Sequence, residues 1–278
     1  MFVGNIIKVR IVGNDGVDAH LEHKSGGQWR VSSSKLDDAM PNSELGMELN
    51  AFIYTDSQGK SLASLKTPLA TIYQCANLKV SSLAEGGAFL QWGIEKELLL
   101  PFAEQRRPLL PNEYECVTVY LDNSGRLAAS SKLDLRLPDT SEIIRLGQEV
   151  TLLVYQKTDL GFKAVINNHA RGLIFKDEIF TPIKPGQTVT AYIKRIRDDG
   201  RFDLSLRSKD NKSRQALTAT ILEHLEASGG TSSLHDKSPP EEIYAAFNVS
   251  KKEFKKALST LYKQRKISIN ADCVSLSK

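Results

Sequence analysis

DSQGKSLASLK at residues 56–66, DNSGRLAASSK at 122–132 and DDGRFDLSLR at 198–207 share one pattern, G-[KR]-x-x-x-S-x-[KR]. Its glycines are Gly59, Gly125 and Gly200, each followed by a base (Lys60, Arg126, Arg201), a serine (Ser64, Ser130, Ser205) and a second base (Lys66, Lys132, Arg207). Ahead of each lies a strand-like run: ELNAFIYT from Glu48, EYECVTVYL from Glu113 and TVTAYIKRI from Thr188. A polar residue followed by glycine between two such runs signals a tight hairpin, because glycine tolerates the positive φ the turn needs. The three glycines stand 66 and then 75 residues apart. That period is too long for a solenoid repeat and fits a small five-stranded barrel, so each repeat is read as a domain.

The rest of each unit follows the same plan. LKVSSLAEGGAFLQWG (78–93) predicts strand, glycine turn and strand, followed by ELLLPF (97–102); EVTLLVYQKTDLGFKAVIN (149–167) and RGLIFKDE (171–178) repeat it. In the first unit a hairpin is expected at Asn14-Asp15-Gly16. Strand alternation in AFLQW places Leu90 and Trp92 on the barrel interior and Phe89 and Gln91 outside. An outward aromatic on such a barrel is either a base-stacking platform or a rim residue packed on a neighbouring barrel.

From residue 212 the apolar period changes from 2 to 3.6. A helix is expected over 214–228, with Ala216, Leu217, Ile221, Leu222 and Leu225 on one side and Gly229-Gly230 as its stop. SPPEEIYAAF (238–247) begins a second helix with prolines in its first turn. Ser250 and Glu253 form a capping box for a third, whose core face is Phe254, Ala257, Leu258, Leu261 and Tyr262. Beside that face Lys252, Lys255, Lys256 and Lys263 fall in one arc. KISIN, a turn at Ala271-Asp272 and CVSLS complete a hairpin, giving a winged helix that presents a basic helix either to nucleic acid or to solvent. The fold class is therefore mainly β with a C-terminal α/β module: three tandem five-stranded OB-type barrels over residues 1–66, 67–143 and 144–211, then a winged helix over 212–278.

Charge divides along the chain. Residues 1–143 carry −4 and residues 144–278 carry +8, within a net +4 for all 278 residues. Such asymmetry marks where a polyanion would dock. Cys75, Cys116 and Cys273 are odd in number and far apart, which speaks against a disulfide framework or a zinc site and for a reducing cytoplasm. No apolar run reaches the roughly 20 residues a membrane span needs. Phosphate-binding loop, dinucleotide, nucleophile-elbow and zinc-protease motifs are all absent, so no enzyme, cofactor, metal or small-molecule substrate is expected. His20 and His23 should point to opposite faces of a strand, Asp37-Asp38 read as loop, and Glu241-Glu242 as a helix start.

EGGAFLQWG, ELLLP and DNSGRLAASSK resemble the ribosomal S-one RNA-binding domain, with RGLIF and DDGRFDLSLR as the matching parts of the third unit. The order of three such units and a winged helix resembles the bacterial conserved virulence factor B family. That resemblance implies a cytoplasmic RNA-binding regulator acting on single-stranded RNA, with a DNA-binding regulator and a ribosome-associated adaptor as the alternatives. It implies RNA contacts from Phe89, Gln91, Arg126, Lys132, Lys163, Phe175, Lys194, Arg195, Arg197, Arg201 and Arg207 on the barrels. From the winged helix it implies Lys252, Lys255, Lys256, Lys263 and Arg265. Lys163 stands where the second unit has Phe89, and Phe175 where the family pattern often has histidine, which makes the third unit's expected contact more electrostatic.

Overall fold

The structure, a computed structural model, describes residues 2–56, 58–179, 181–207, 211–270 and 272–277, with backbone alone for 211–216. It divides into two compact units, Met1–Leu206 and Arg207–Lys278.

The first unit holds three five-stranded sheets built to one plan. β1 (Ile6–Asn14), β2 (Asp18–Glu22), β3 (Gln28–Ser32), helix α1 (Ser33–Ala39), β4 (Glu48–Thr55) and β5 (Ser61–Ser64) form the first, in the order β3-β2-β1-β4-β5. β6 (Cys75–Ala84), β7 (Gly87–Gln91), β8 (Leu98–Pro101), β9 (Tyr114–Leu121) and β10 (Leu127–Ser130) form the second, in the order β10-β9-β6-β7-β8. After the short helix α2 (Leu133–Arg136), β11 (Glu149–Lys157), β12 (Gly161–Ile166), β13 (Ala170–Phe175), β14 (Thr188–Ile196) and β15 (Phe202–Ser205) close fully. The parallel pairing of β13 with β15 makes that closure. In the first two sheets the corresponding strands, β3 with β5 and β8 with β10, lie alongside each other, so those barrels are nearly closed.

The repeated glycines do the same work in each barrel. Gly59, Gly125 and Gly200 all have φ near +80°, between +76° and +81°. Asp56, Asp122 and Arg197 donate their backbone N–H to the carbonyls of Lys60, Arg126 and Arg201 across the turn. Each barrel also carries a bulge in its first strand, at Ile11/Gly13, Val80/Ser82 and Val154/Gln156. A bulge coils the strand and lets a five-stranded sheet curl toward closure.

Two strands depart from simple alternation. In β4 the residues Leu49, Ala51 and Ile53 fill the first barrel while Phe52 and Tyr54 pack into the core of the second. In β11 Val150, Leu152 and Val154 fill the third barrel, while Leu153 and Tyr155 pack against Cys116, Leu133 and Leu137. Strands buried on both faces read as continuous apolar runs, which is why AFIYT and LLVY lack a polar face. Asp37-Asp38 lie in α1, not in a loop; Leu36 plugs the barrel, and one large apolar residue in a seven-residue helix leaves no period to detect.

The second unit comprises α3 (Asn211–Ala227), β16 (Thr231–Ser232), α4 (Pro240–Phe247), α5 (Lys251–Lys263), β17 (Ile267–Ile269) and β18 (Val274–Leu276). Its core gathers Ile221, Leu225, Ile243, Phe254, Ala257, Leu258, Leu261, Ile267 and Val274. The hairpin gains β16 as a third strand, in the order β16-β18-β17. Tyr262 was expected in this core and is 58% exposed, because it stands at the edge of the apolar stripe, about 80° round from Phe254. The expected core position Ala216 and the turn residue Ala271 lie outside the described side chains and residues. Among the described residues no helix is long and apolar enough to cross a membrane.

Candidate nucleic-acid interface

The bulges align the three barrels residue by residue. One step past each bulge, Gly13 pairs with His20, Ser82 with Phe89 and Gln156 with Lys163. His20, Phe89 and Lys163 therefore hold one outward place, between inward neighbours Ala19/Leu21, Ala88/Leu90 and Phe162/Ala164 that are all buried. In the first barrel His20 reaches Asp15 at 3.3 Å, and His23 meets Ser25 at 2.8 Å. In the second, Phe89 is half-buried across from Leu99, and Gln91 is exposed two residues on. This is a face with an aromatic and an amide, with Lys79 paired across from Gln91.

The same place in the third barrel is occupied. Lys163 Nζ lies 2.7 Å from Asp134 Oδ2, while Arg171 Nη1 and Tyr155 Oη donate to Asp134 Oδ1 at 2.8 and 2.7 Å. Asp134 is carried there by α2, whose neighbours Leu133 and Leu137 cover Leu153, Tyr155 and Val165 on the outside of β11 and β12. Arg171 fixes the end of this segment by donating its backbone N–H to the Pro138 carbonyl and its Nε to that of Leu137. Burial opposes the charge on Asp134, but the hydrogen bonds from Lys163 and Tyr155 outweigh it and hold the carboxyl below its ordinary range. Burial and the bond to that carboxylate push the Tyr155 hydroxyl upward, so it remains a donor.

Beyond this cluster Lys163, Arg171, Arg197 and Arg201 border a groove of about 500 Å³ with Leu160 and Leu173 on its wall. Its bases are largely matched by acids: Arg201 with Asp139 at 2.9 Å and Arg197 with Asp203 at 2.7 Å. The Arg197 guanidinium also lies over the half-buried Phe175 ring, 5.4 Å from its centroid. Lys194 is bonded to Glu178, Arg126 lies 3.2 Å from Asp122, and Lys132 is half-buried at the start of α2. Arg195 is exposed and has no ion pair among the described residues.

The winged helix differs. Ser250 and Glu253 cap α5 reciprocally, which fixes where the helix starts and hence which residues face out. Lys252, Lys255, Lys256, Lys263 and Arg265 are all exposed, and none forms an ion pair among the described residues. Arg207, the first residue of this unit, instead pairs with Glu253. Surface bases without partners keep their full charge available to a polyanion, whereas paired ones must first give up a carboxylate.

Sequence reasoning did not single out Asp134, Tyr155 or Arg171. Tyr155 had a signal, since it belongs to an apolar run too long for a one-faced strand. Asp134 had none, because its partners are about 20 to 40 residues away and only the packing of α2 brings them together.

Residues 219–276 match the family model of the CvfB-like winged helix domain. Over 99% of its length and 94% of the relative's, the chain is 25% identical to conserved virulence factor B of Staphylococcus aureus strain USA300. It is 27% identical to the uncharacterized protein YitL of Bacillus subtilis strain 168 over 79% of its own length and 76% of that protein's. A crystal structure of a multidomain protein with nucleic acid binding domains from Streptococcus pneumoniae aligns with a TM-score of 0.41 at 22% identity, covering 99% of this chain and 98% of that one.

Proposed function

We propose, from the premise that this chain carries a CvfB-like winged helix and is a relative of conserved virulence factor B over nearly its whole length, that it binds single-stranded RNA in the bacterial cytoplasm as a post-transcriptional regulator. No catalytic step is assigned to it. The observation that carries this reading is the set of five exposed bases on and after α5 that have no carboxylate partner among the described residues. Lysines suit phosphate contact better than base readout, which favours a sequence-tolerant RNA ligand over a major-groove DNA site. The half-buried Phe89 and exposed Gln91 supply a second, uncharged contact on the middle barrel, where an aromatic face accepts any base.

The test is a titration of the full chain with single-stranded RNA, duplex DNA and purified ribosomes at one stated salt concentration. Single-stranded RNA should bind tightest, with a log–log salt slope of roughly −0.7 for each phosphate neutralised. Tighter binding to duplex DNA, or a flat salt response, would refute the reading.

A further inference from the structure

The third barrel's outward site holds an anion already. Asp134 receives one ammonium, one guanidinium and one phenol hydroxyl, all within 2.8 Å. Three convergent donors of this kind, two of them cationic, are the set that a phosphate oxygen accepts from. The carboxylate does not come from the barrel that supplies the donors. It rides on α2, a helix of four residues between the second and third barrels, and its side chain is about a third exposed, so it can rotate out while the buried Leu133 keeps the helix seated. The position is also the one that Phe89 holds in the second barrel, which ties it to the outward face proposed as an RNA contact.

We propose that Tyr155, Lys163 and Arg171 form a phosphate-binding subsite of the third barrel, that Asp134 occupies it as an internal substitute, and that an RNA phosphodiester binds there by displacing Asp134. The proposal rests on the RNA reading for the identity of its ligand, and on geometry alone for the subsite. It makes the Asp134 side chain a latch. Exchange of one anion for another keeps all three donors satisfied, so release of Asp134 into water is the chief electrostatic change.

The experiment compares the wild-type full chain with Asp134→Asn, which keeps the side-chain shape and removes the charge. Two probes are used: inorganic pyrophosphate followed by amide chemical shifts, and single-stranded RNA followed by anisotropy across a salt series. The variant should bind pyrophosphate with half-saturation at least about threefold lower, with shifts centred on Lys163 and Arg171. It should also bind RNA at least about threefold more tightly across the salt series, because no carboxylate has to be displaced, with the slope itself little changed. Adding Lys163→Ala to the variant should abolish both gains.

No gain with either probe in a variant of unchanged melting temperature overturns the subsite, as does a gain that survives Lys163→Ala. A pyrophosphate gain in a protein that binds no RNA upholds the subsite and removes the RNA reading instead. Should Asp134→Asn fail to fold, the carboxyl carbon signal of Asp134 in wild type answers the same question. Displacement by pyrophosphate moves that signal, and an unmoved signal while the Lys163 and Arg171 amides shift overturns the latch.

Discussion

Trp92 of the second barrel stands edge-on to Phe52 of the first, with ring centroids 5.4 Å apart and planes at 85°. Phe52 comes from β4, on the side facing away from its own barrel, and the Trp92 indole N–H donates to the Lys96 carbonyl at 2.5 Å. One ring thus serves two barrels. Trp92→Ala should lower unfolding free energy by about 3 to 5 kcal/mol, the usual cost of emptying a buried aromatic site. Trp92→Phe, which loses the N–H and some volume, should cost less than half of that. Urea denaturation followed by circular dichroism measures both, and a loss under about 1 kcal/mol for Trp92→Ala would remove the ring from its bridging role.

Gly161 has φ +150°, and a Cβ there would stand 1.9 Å from the Ile174 carbonyl oxygen; at Gly59, φ is +81° with open space around it. Gly59→Ala should therefore cost only the left-handed strain of about 1 to 2 kcal/mol. Gly161→Ala should cost more, since strand β13 must also move. Melting temperatures of the two variants give the order, and an equal loss would show that β12 and β13 separate more easily than their pairing suggests.

Lys255→Ala with Lys256→Ala should make the RNA salt slope shallower by up to about 1.4, two single-strand phosphate contacts. Both side chains are exposed, so the melting temperature should hold. An unchanged slope in a folded variant would turn this arc of α5 into ordinary solvated surface.

Phe89→Ala should weaken RNA binding by about 1 to 3 kcal/mol without altering the slope, because stacking on a base releases no counterions. Phe89 is half-buried, so a thermal melt belongs beside the titration. A lowered melting temperature with normal affinity would make Phe89 a packing residue.

Asp15 closes the β1–β2 hairpin by accepting the backbone N–H groups of Asp18 and Val17 at 2.7 and 2.9 Å, and these bonds, with His20, bring its carboxyl from 3.8 to about 2. A carboxyl lowered by folding stabilises above its unfolded value and ceases to as pH falls through its folded one. The stability it supplies is complete above about pH 4 and is lost between about pH 4 and pH 2. Asp15→Asn should flatten the dependence of melting temperature on pH in that window and leave it unchanged near neutrality. An identical acid profile for the two proteins would contradict the assignment.

Local chemistry was legible in the chain. Glycines that need positive φ, the capping box at Ser250 and Glu253, and the periods of 2 and 3.6 act within a few residues, so a pattern of four fixed positions recurring three times disclosed three barrels and a change of period disclosed the winged helix. The inward pair Leu90 and Trp92 followed from pleat alone. What the sequence could not disclose was which charges find partners. Lys163, Arg171 and Tyr155 meet Asp134 across 21 to 37 residues, and β4 and β11 bury both faces because a second barrel or its connecting helix covers them. Charge pairing depends on distances of a few ångströms set by packing between domains, and no count of lysines and arginines along the chain contains those distances. Composition thus located the positive half of the protein, and only the tertiary structure separated the bases already matched on the third barrel from those left open on α5.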